Sequence, residues 1–438
     1  MLSEDLLARL SALVDRAIQV ASAQPPLDEV QRAVPHGGGG VGLVPGIGRG
    51  VRTWAAVRRS VEASPELASL NDCDERLPSA LSAGFIGGSV EPVWIAVALA
   101  RSVLSGAELD AASAVREFAR TLAAGRIPMR ATARLDIACE PTVSLEPIQL
   151  ANGVVFRQLT TEERTVEFEP STLGIRHLAP FANFALELNY DVPLRLNDPL
   201  GMMNPQEVQA ELEAERERYN AIASAHSALH LALPGRLPLR DVLFESRSHV
   251  LSFGSRRMVV SEGSLPGFAT EVRIEAATVE IVNRALTSND GRVRVALRRL
   301  RDAEGRREWD DALVDACIGL EALLNSEKSG EVTTRLGLNY ASFYQLEERA
   351  NRSARFKKVY DMRSHVAHGQ VIDPNKEKLL DQQTKVPANQ FADAAKSMLR
   401  EVLIFCLRDD EFLKTQKPDA AFWERRLFAH SSGSTGRT

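Results

Sequence analysis

Cysteine is scarce in this chain. The four present, Cys73, Cys139, Cys317 and Cys406, lie far apart and form no CxxC pair. That spacing excludes a disulfide framework and a zinc site built from cysteines. Long apolar runs are missing too. The best stretch, Pro92 to Ala100, is nine residues long and ends at Arg101, about half of what a spanning helix requires. The opening Met1-Leu-Ser-Glu-Asp5 has acids where a secretory leader would carry basic residues. A reduced cytoplasm, with no membrane partner, is the expected setting. Compositional bias is also lacking: 44% hydrophobic and 25% charged residues exclude a mostly disordered chain. At 438 residues two or three domains are expected.

A net charge of −5 hides an asymmetry. Residues 292 to 307 hold seven arginines against two acids, and residues 349 to 370 hold six Lys or Arg against one. Each segment is locally +5, so the remainder carries −15. Arginine-rich helix faces are commonly just solvated. Local charge of this size nonetheless permits a polyanionic partner that the overall charge would argue against.

The expected fold is α+β. Residues 1–126 read as mostly helical, with Leu6, Leu7, Leu10, Leu13, Val14 and Ile18 forming one stripe at three- and four-residue spacing. A second helix is signalled by Ser105-Gly-Ala-Glu108 as a capping box, with Gly125 as its stop. Between them, Gly37, Gly39 and Gly42 formally satisfy GxGxxG. Pro35 and His36 precede them and Val44-Pro45-Gly46 follows, so the strand and helix of a dinucleotide loop are missing and a flexible loop is the better reading. Residues 127–265 turn to short alternating runs, including a hairpin at Asn152-Gly153 and one charged helix from Gln206 to Leu231. This section is expected to be a mixed α/β sheet with a sensing or regulatory role. Residues 270–416 read as an all-α helical bundle, closed by an amphipathic helix from Asn389, a suitable N-cap, to Leu407. Residues 431–438 are expected to be a disordered tail.

Two motifs carry chemistry. His226 and His230 stand four apart on a helix, a spacing that can hold a metal. With no HExxH glutamate or third ligand, surface or half-buried histidines are preferred, and no metal or cofactor is expected. The second motif is Tyr360-Asp-Met-Arg363-Ser364-His365-Val-Ala-His368-Gly369. Arg363 and His368 are five apart, about 140° round a regular helix, so they converge only if the helix ends or distorts nearby. Gly369 supplies that ending, and the negative helix terminus would raise the histidine's pKa towards neutrality. An arginine beside such a histidine suits cleavage of a phosphodiester by the substrate's own 2′-hydroxyl. His368 would move the proton and Arg363 would hold the phosphate, which confines the substrate to RNA. Arg355, Lys357 and Lys358 would help bind it. On spacing alone, a helix-capping histidine is the default.

The wider pattern adds weight. Arg299-Leu-Arg-Asp-Ala, then Asp310 to Leu324 with its Leu320-Glu321-Ala-Leu step, then Tyr360-xx-Arg363-Ser-xxx-His368-Gly369 and a closing helix with Arg400 together resemble the HEPN superfamily. Within it the pattern looks like the ApeA-like branch, named for an anti-phage defence protein. The likeness covers about residues 270–410. It implies a helical bundle that forms a homodimer or higher homo-oligomer, with the R-x4-H pairs of two subunits lining one cleft. It also implies metal-independent endoribonuclease activity on tRNA or mRNA, in defence or abortive infection, with a phage-derived trigger. Arg363 and His368 match the catalytic positions and Ser364 a supporting polar one. Glu321, on an apolar helix face, needs a partner such as Arg335 or Arg363 and is read as supporting. His365 is a competing proton carrier that falls outside the family motif, so His368 is preferred, and Tyr360 is assigned to packing rather than chemistry. The alternative is a non-catalytic HEPN RNA-binding or protein-interaction module whose N-terminal region is the working part.

Overall fold

The computed structural model describes residues 2–23, 51–83, 86–104, 110–136, 146–159, 182–196, 205–235, 237–248, 256–259, 274–325, 332–381, 384–415 and 418–429. The glycine loop at 37–50, the Ser105–Glu108 capping box, Cys139 and the tail at 431–438 lie outside them. The chain is mixed helix and sheet, and it divides into two compact units: 1–134 with 155–220 and 240–261, and 135–154 with 221–239 and 262–438.

The first unit begins with α1 (Glu4–Ala23), α2 (Val51–Glu62) and α3 (Pro65–Asn71). There follow β1 (Ala80–Ala83), β2 (Ile86–Ser89), α4 (Pro92–Leu104) and α5 (Ala111–Ala124). Leu6, Leu10, Leu13 and Val14 of α1 are buried as the stripe predicts, with Leu7 and Ile18 at its half-buried margins. The Pro92–Ala100 run lies within α4, which buries Val93, Ile95, Ala96, Leu99 and Ala100 in the core. No helix among the described residues is long and apolar enough to cross a membrane. Helix α5 is capped by Asp110, which accepts from Ser113 N at 2.7 Å. It stops at Gly125, whose φ of +61° is left-handed, the conformation glycine adopts without a Cβ penalty.

Six strands run in the order β2-β1-β6-β3-β7-β8, with β3 (Arg126–Asp136), β6 (Ala182–Leu196), β7 (Leu239–Ser246) and β8 (Arg256–Val259). β1 pairs antiparallel with β2 and with β6, Leu81 opposite Leu196. Period-two alternation explains the β6 face: Phe184, Leu186, Val192 and Leu194 are buried, while Asn189, Asp191 and Pro193 are exposed. Val192, Leu194, Ile127 and Met129 share one core with Leu10, Leu13 and Phe118. The expected boundary at 126/127 therefore does not separate two folds. A hairpin from the helical segment joins the sheet of the next segment, a long-range pairing that local sequence signals do not report. Helix α6 (Pro205–Leu229) follows β6.

The second unit contains β4 (Ile148–Gln149) and the start of β5 (Val154–Gln158). They flank the expected turn, where Gly153 has φ +83° and Leu150 N donates to Val154 O at 2.8 Å. Its helices are α7 (Ala276–Thr287), α8 (Gly291–Gly305), α9 (Trp309–Leu324), α10 (Val332–Ala341), α11 (Leu346–Ala367), α12 (Gln390–Arg408), α13 (Asp410–Lys414) and α14 (Ala420–Ala429). A short antiparallel hairpin, β9 (Glu377–Leu379) and β10 (Lys385–Pro387), interrupts the section expected to be all-α. Asn389 precedes α12 but makes no side-chain capping bond, because its backbone is already helical at φ −62°, ψ −26°.

Helix α9 is central, packing on α8, α12 and α11. Buried carboxylates stitch it and α8 to their neighbours. Asp315 accepts from Arg299 at 2.6 Å and Arg306 at 2.8 Å. Glu304 accepts from Arg400 at 2.5 Å and faces Lys396 at 3.4 Å. Gly319 allows the closest approach: a Cβ there would stand 2.6 Å from Leu399 Cδ2 and 3.2 Å from Arg299 Cβ. Gly319→Ala should therefore lower the thermal midpoint. Overpacking costs about 1–3 kcal/mol, more than the gain of about 1 kcal/mol in helix propensity. Gly305→Ala, with nothing within 4 Å of the new Cβ, should leave the midpoint unchanged or raise it. Equal midpoints for the two variants in a thermal melt would refute this packing account.

Candidate functional site

Helix α11 carries the site. Phe356, Val359 and Met362 form its buried side. Tyr360 and Arg363, three residues apart and hence neighbours on one side, both reach Glu321 on α9. Tyr360 Oη donates to Glu321 Oε1 at 2.7 Å, and Arg363 Nη2 stands 3.4 Å from the same oxygen. The guanidinium carbon lies 5.5 Å from the Tyr360 ring centroid. Tyr360 in turn stacks on Phe356 at 6.0 Å with the rings 14° from parallel. Of the two partners expected for Glu321, Arg363 is the one that supplies the charge, and Glu321 is half-buried rather than sealed in the core. The Tyr360 hydroxyl was missed by the sequence reading, which assigned that residue to packing alone. Its three-residue offset from Arg363 was the available signal.

Arg363 is incompletely satisfied. Its side chain is 26% exposed, yet its Nε is buried without a hydrogen-bond partner. The exposed part of the guanidinium, outside its one ion pair, keeps N–H donors open to solvent. Burial, then the hydrogen bond to Glu321, pushes the Tyr360 phenol above its usual pKa. Cys317, one turn before Glu321, has its thiol pushed up to about 12 by burial and by the Glu321 charge. It is a protonated core residue, not a nucleophile.

The helix end expected at Gly369 is present. Gly369 has φ +73°, its N–H donates to Val366 O at 2.9 Å, and Gln370 N donates to His365 O at 3.1 Å. These two bonds make a Schellman motif. His368 is the C-cap residue, its backbone N–H donating to Ser364 O at 3.0 Å. His365 and His368 are exposed and Ser364 is half-buried. Because α11 stays helical through Ala367, the roughly 140° separation of positions 363 and 368 is kept. Among the described residues, no hydrogen bond or ion pair joins Arg363 to His368 within one chain. The structure thus brings together Arg363, Glu321 and Tyr360, and leaves His368 on another face.

The basic residues divide. Lys358 is exposed, while Arg355 and Lys357 are half-buried. Lys357 borders a groove of about 290 Å³ with Leu338, Ser353, Ala354 and Leu427. The 292–307 segment is less available than its charge implies. Arg292 binds Asp290 and the carbonyls of Phe412 and Thr415, Arg299 and Arg306 hold Asp315, and Arg301 pairs with Asp302. Arg294 and Arg298 are exposed. Sequence charge cannot separate an arginine that cross-links helices from one that faces a ligand.

The histidine pair departs from expectation, being fully enclosed at 3% and 2% exposure. The rings lie 5.2 Å apart, and His226 Nε2 donates to Leu237 O at 2.6 Å. Among the described residues no group of three His, Cys, Asp or Glu could hold a metal. Compared with known proteins, the chain matches no family model, no curated protein and no solved structure.

Burial pushes the His226 pKa down to about 4 and that of His230 well below 6.5, with Arg301 and Arg400 adding repulsion. The unfolded chain therefore takes up protons first as pH falls, so stability is complete above about pH 6.5 and declines below it. We expect the thermal midpoint to drop between about pH 7 and about pH 5, and His230→Leu to reduce that drop. A wild-type midpoint that stays flat across this interval contradicts the assignment.

Proposed function

We propose that this chain is a metal-independent endoribonuclease of the HEPN type. On this reading Arg363 binds the scissile phosphate and stabilises its transition-state charge, and His368 transfers a proton to or from the reacting oxygens. Ser364 and Glu321 support the pair, and Arg355, Lys357 and Lys358 bind the RNA backbone. A homodimer completes the site, and the setting is anti-phage defence or abortive infection in the cytoplasm. The observation that carries the reading is the Arg363 guanidinium: partly exposed, and anchored to α9 by one loose ion pair. A cation held in place yet still open to solvent suits an anion with two oxygens, and a phosphodiester is such an anion.

The separation of Arg363 from His368 within one chain favours a second reading, a HEPN-type module that binds RNA or protein without turnover. The two readings part on a single assay. Purified protein should cleave tRNA in excess EDTA, and Arg363→Ala and His368→Ala should each slow cleavage on the order of 100-fold or more while melting like the wild type. Cleavage that requires added metal, or that survives His368→Ala, rules the mechanism out; no cleavage, with RNA binding retained, favours the module. A mixture of the two variants, exchanged after mild unfolding, should regain about a quarter of the wild-type rate. Half the dimers are then mixed, and each mixed dimer holds one intact Arg–His pair drawn from both chains. Failure to regain activity means that the pair acts within one chain.

A further inference from the structure

We propose that Tyr360 is a positioning residue of this site: its hydroxyl, donating to Glu321 Oε1, fixes the carboxylate that holds Arg363 and so sets where the guanidinium meets the scissile phosphate. The inference rests on the ribonuclease reading.

The three side chains close a loop of contacts, and the distances show which one sets the geometry. The Arg363–Glu321 separation of 3.4 Å is an ion pair that draws the guanidinium to the carboxylate without aligning the carboxylate itself, so the place of Arg363 depends on how Glu321 is held. The Tyr360–Glu321 bond at 2.7 Å is short and directional. The phenol is itself held from behind, stacked on Phe356, which is fully buried and lies 5.4 Å from the Tyr340 ring. Rigidity therefore passes from the aromatic core through Tyr360 to the carboxylate, and from there to Arg363. The hydroxyl remains a donor throughout the physiological range, because burial and Glu321 both hold its proton on. Tyr360 is thus suited to donate to Glu321 and not to act as a base.

Charge gives the hydrogen bond a second effect. A carboxylate beside a bound phosphate repels it, and a phenol sharing its charge weakens that repulsion. Glu321 occupies one N–H direction of a group that has five. The donors on the exposed part of the guanidinium are left for the phosphate oxygens.

Tyr360→Phe tests this, since it keeps the ring and its stack and deletes one hydroxyl. The assay is steady-state cleavage of a defined single-stranded RNA oligomer in EDTA by the full-length protein. We expect kcat to fall about ten-fold with KM changed less than about two-fold, and a pH–rate profile unchanged because His368 is untouched. The Arg363 Nε–H resonance in a 15N-labelled sample should be sharp in the wild type and broadened by exchange in the variant. Should Tyr360→Phe fail to fold, Glu321→Leu carries the test, because it removes the acceptor that Tyr360 orients, with a comparable loss in kcat expected. An active wild type with a full-rate Tyr360→Phe overturns this proposal alone. So does a loss of rate that merely tracks the unfolded fraction. A wild type that cleaves nothing overturns the ribonuclease reading and this proposal with it.

Discussion

Glu321 leaves α9 between a phenol and a guanidinium of α11, and the position of Arg363 follows from that contact. Comparison with the other carboxylates of the same unit explains its importance. Asp315 and Glu304 are each 5% exposed and each neutralise two cations, with bonds as short as 2.6 and 2.5 Å. Their arginines serve the packing of helices. Glu321 is 29% exposed and holds one arginine at 3.4 Å. A carboxylate meant only to cross-link would be expected to bind more tightly and deeper, since the desolvation cost is repaid only by good geometry. Arg363 differs from Arg299 and Arg400 in resting on a looser pair with a carboxylate that is itself partly open to solvent.

The elements legible in the sequence were those decided within a turn or two of chain. The α1 stripe, the stop at Gly125 and the turn at Gly153 each rest on periodicity or on a single left-handed glycine. The end of α11 at Gly369 belongs with them. What was not legible depends on partners far along the chain. The pairing of β1 with β6 spans more than a hundred residues. The arginines at 292, 299 and 306 look like a basic patch until Asp290 and Asp315 are found against them. His226 and His230 follow polar, charged turns of α6 and read as surface residues, yet both are enclosed and the Leu237 carbonyl meets the His226 ring. In the site, the helix end and the need of Glu321 for a partner were readable. The hydroxyl of Tyr360 was not, because a tyrosine on a half-buried face looks the same whether its ring or its oxygen matters.

The end of α11 also constrains how a two-residue site could be assembled. Bringing His368 round to Arg363 within one chain means unwinding the last turn. That would break the bonds from His368 N to Ser364 O, Gly369 N to Val366 O and Gln370 N to His365 O, at a net cost of about 1 kcal/mol each. Pairing two copies about a two-fold axis requires no such distortion, but the patch they share must then span both Arg363 and His368. Positions 357, 364 and 368 fall within about 40° of one another round the helix, so Lys357, Ser364 and His368 form a single face. That face borders the groove of Leu338, Ala354 and Leu427, where Leu338 is 43% exposed. On the ribonuclease reading, the regularity that parts the arginine from its own histidine leaves each free to serve the other subunit. A rigid helix end is then an asset, since a proton donor held on a fixed cap is aimed more closely than one on a frayed terminus.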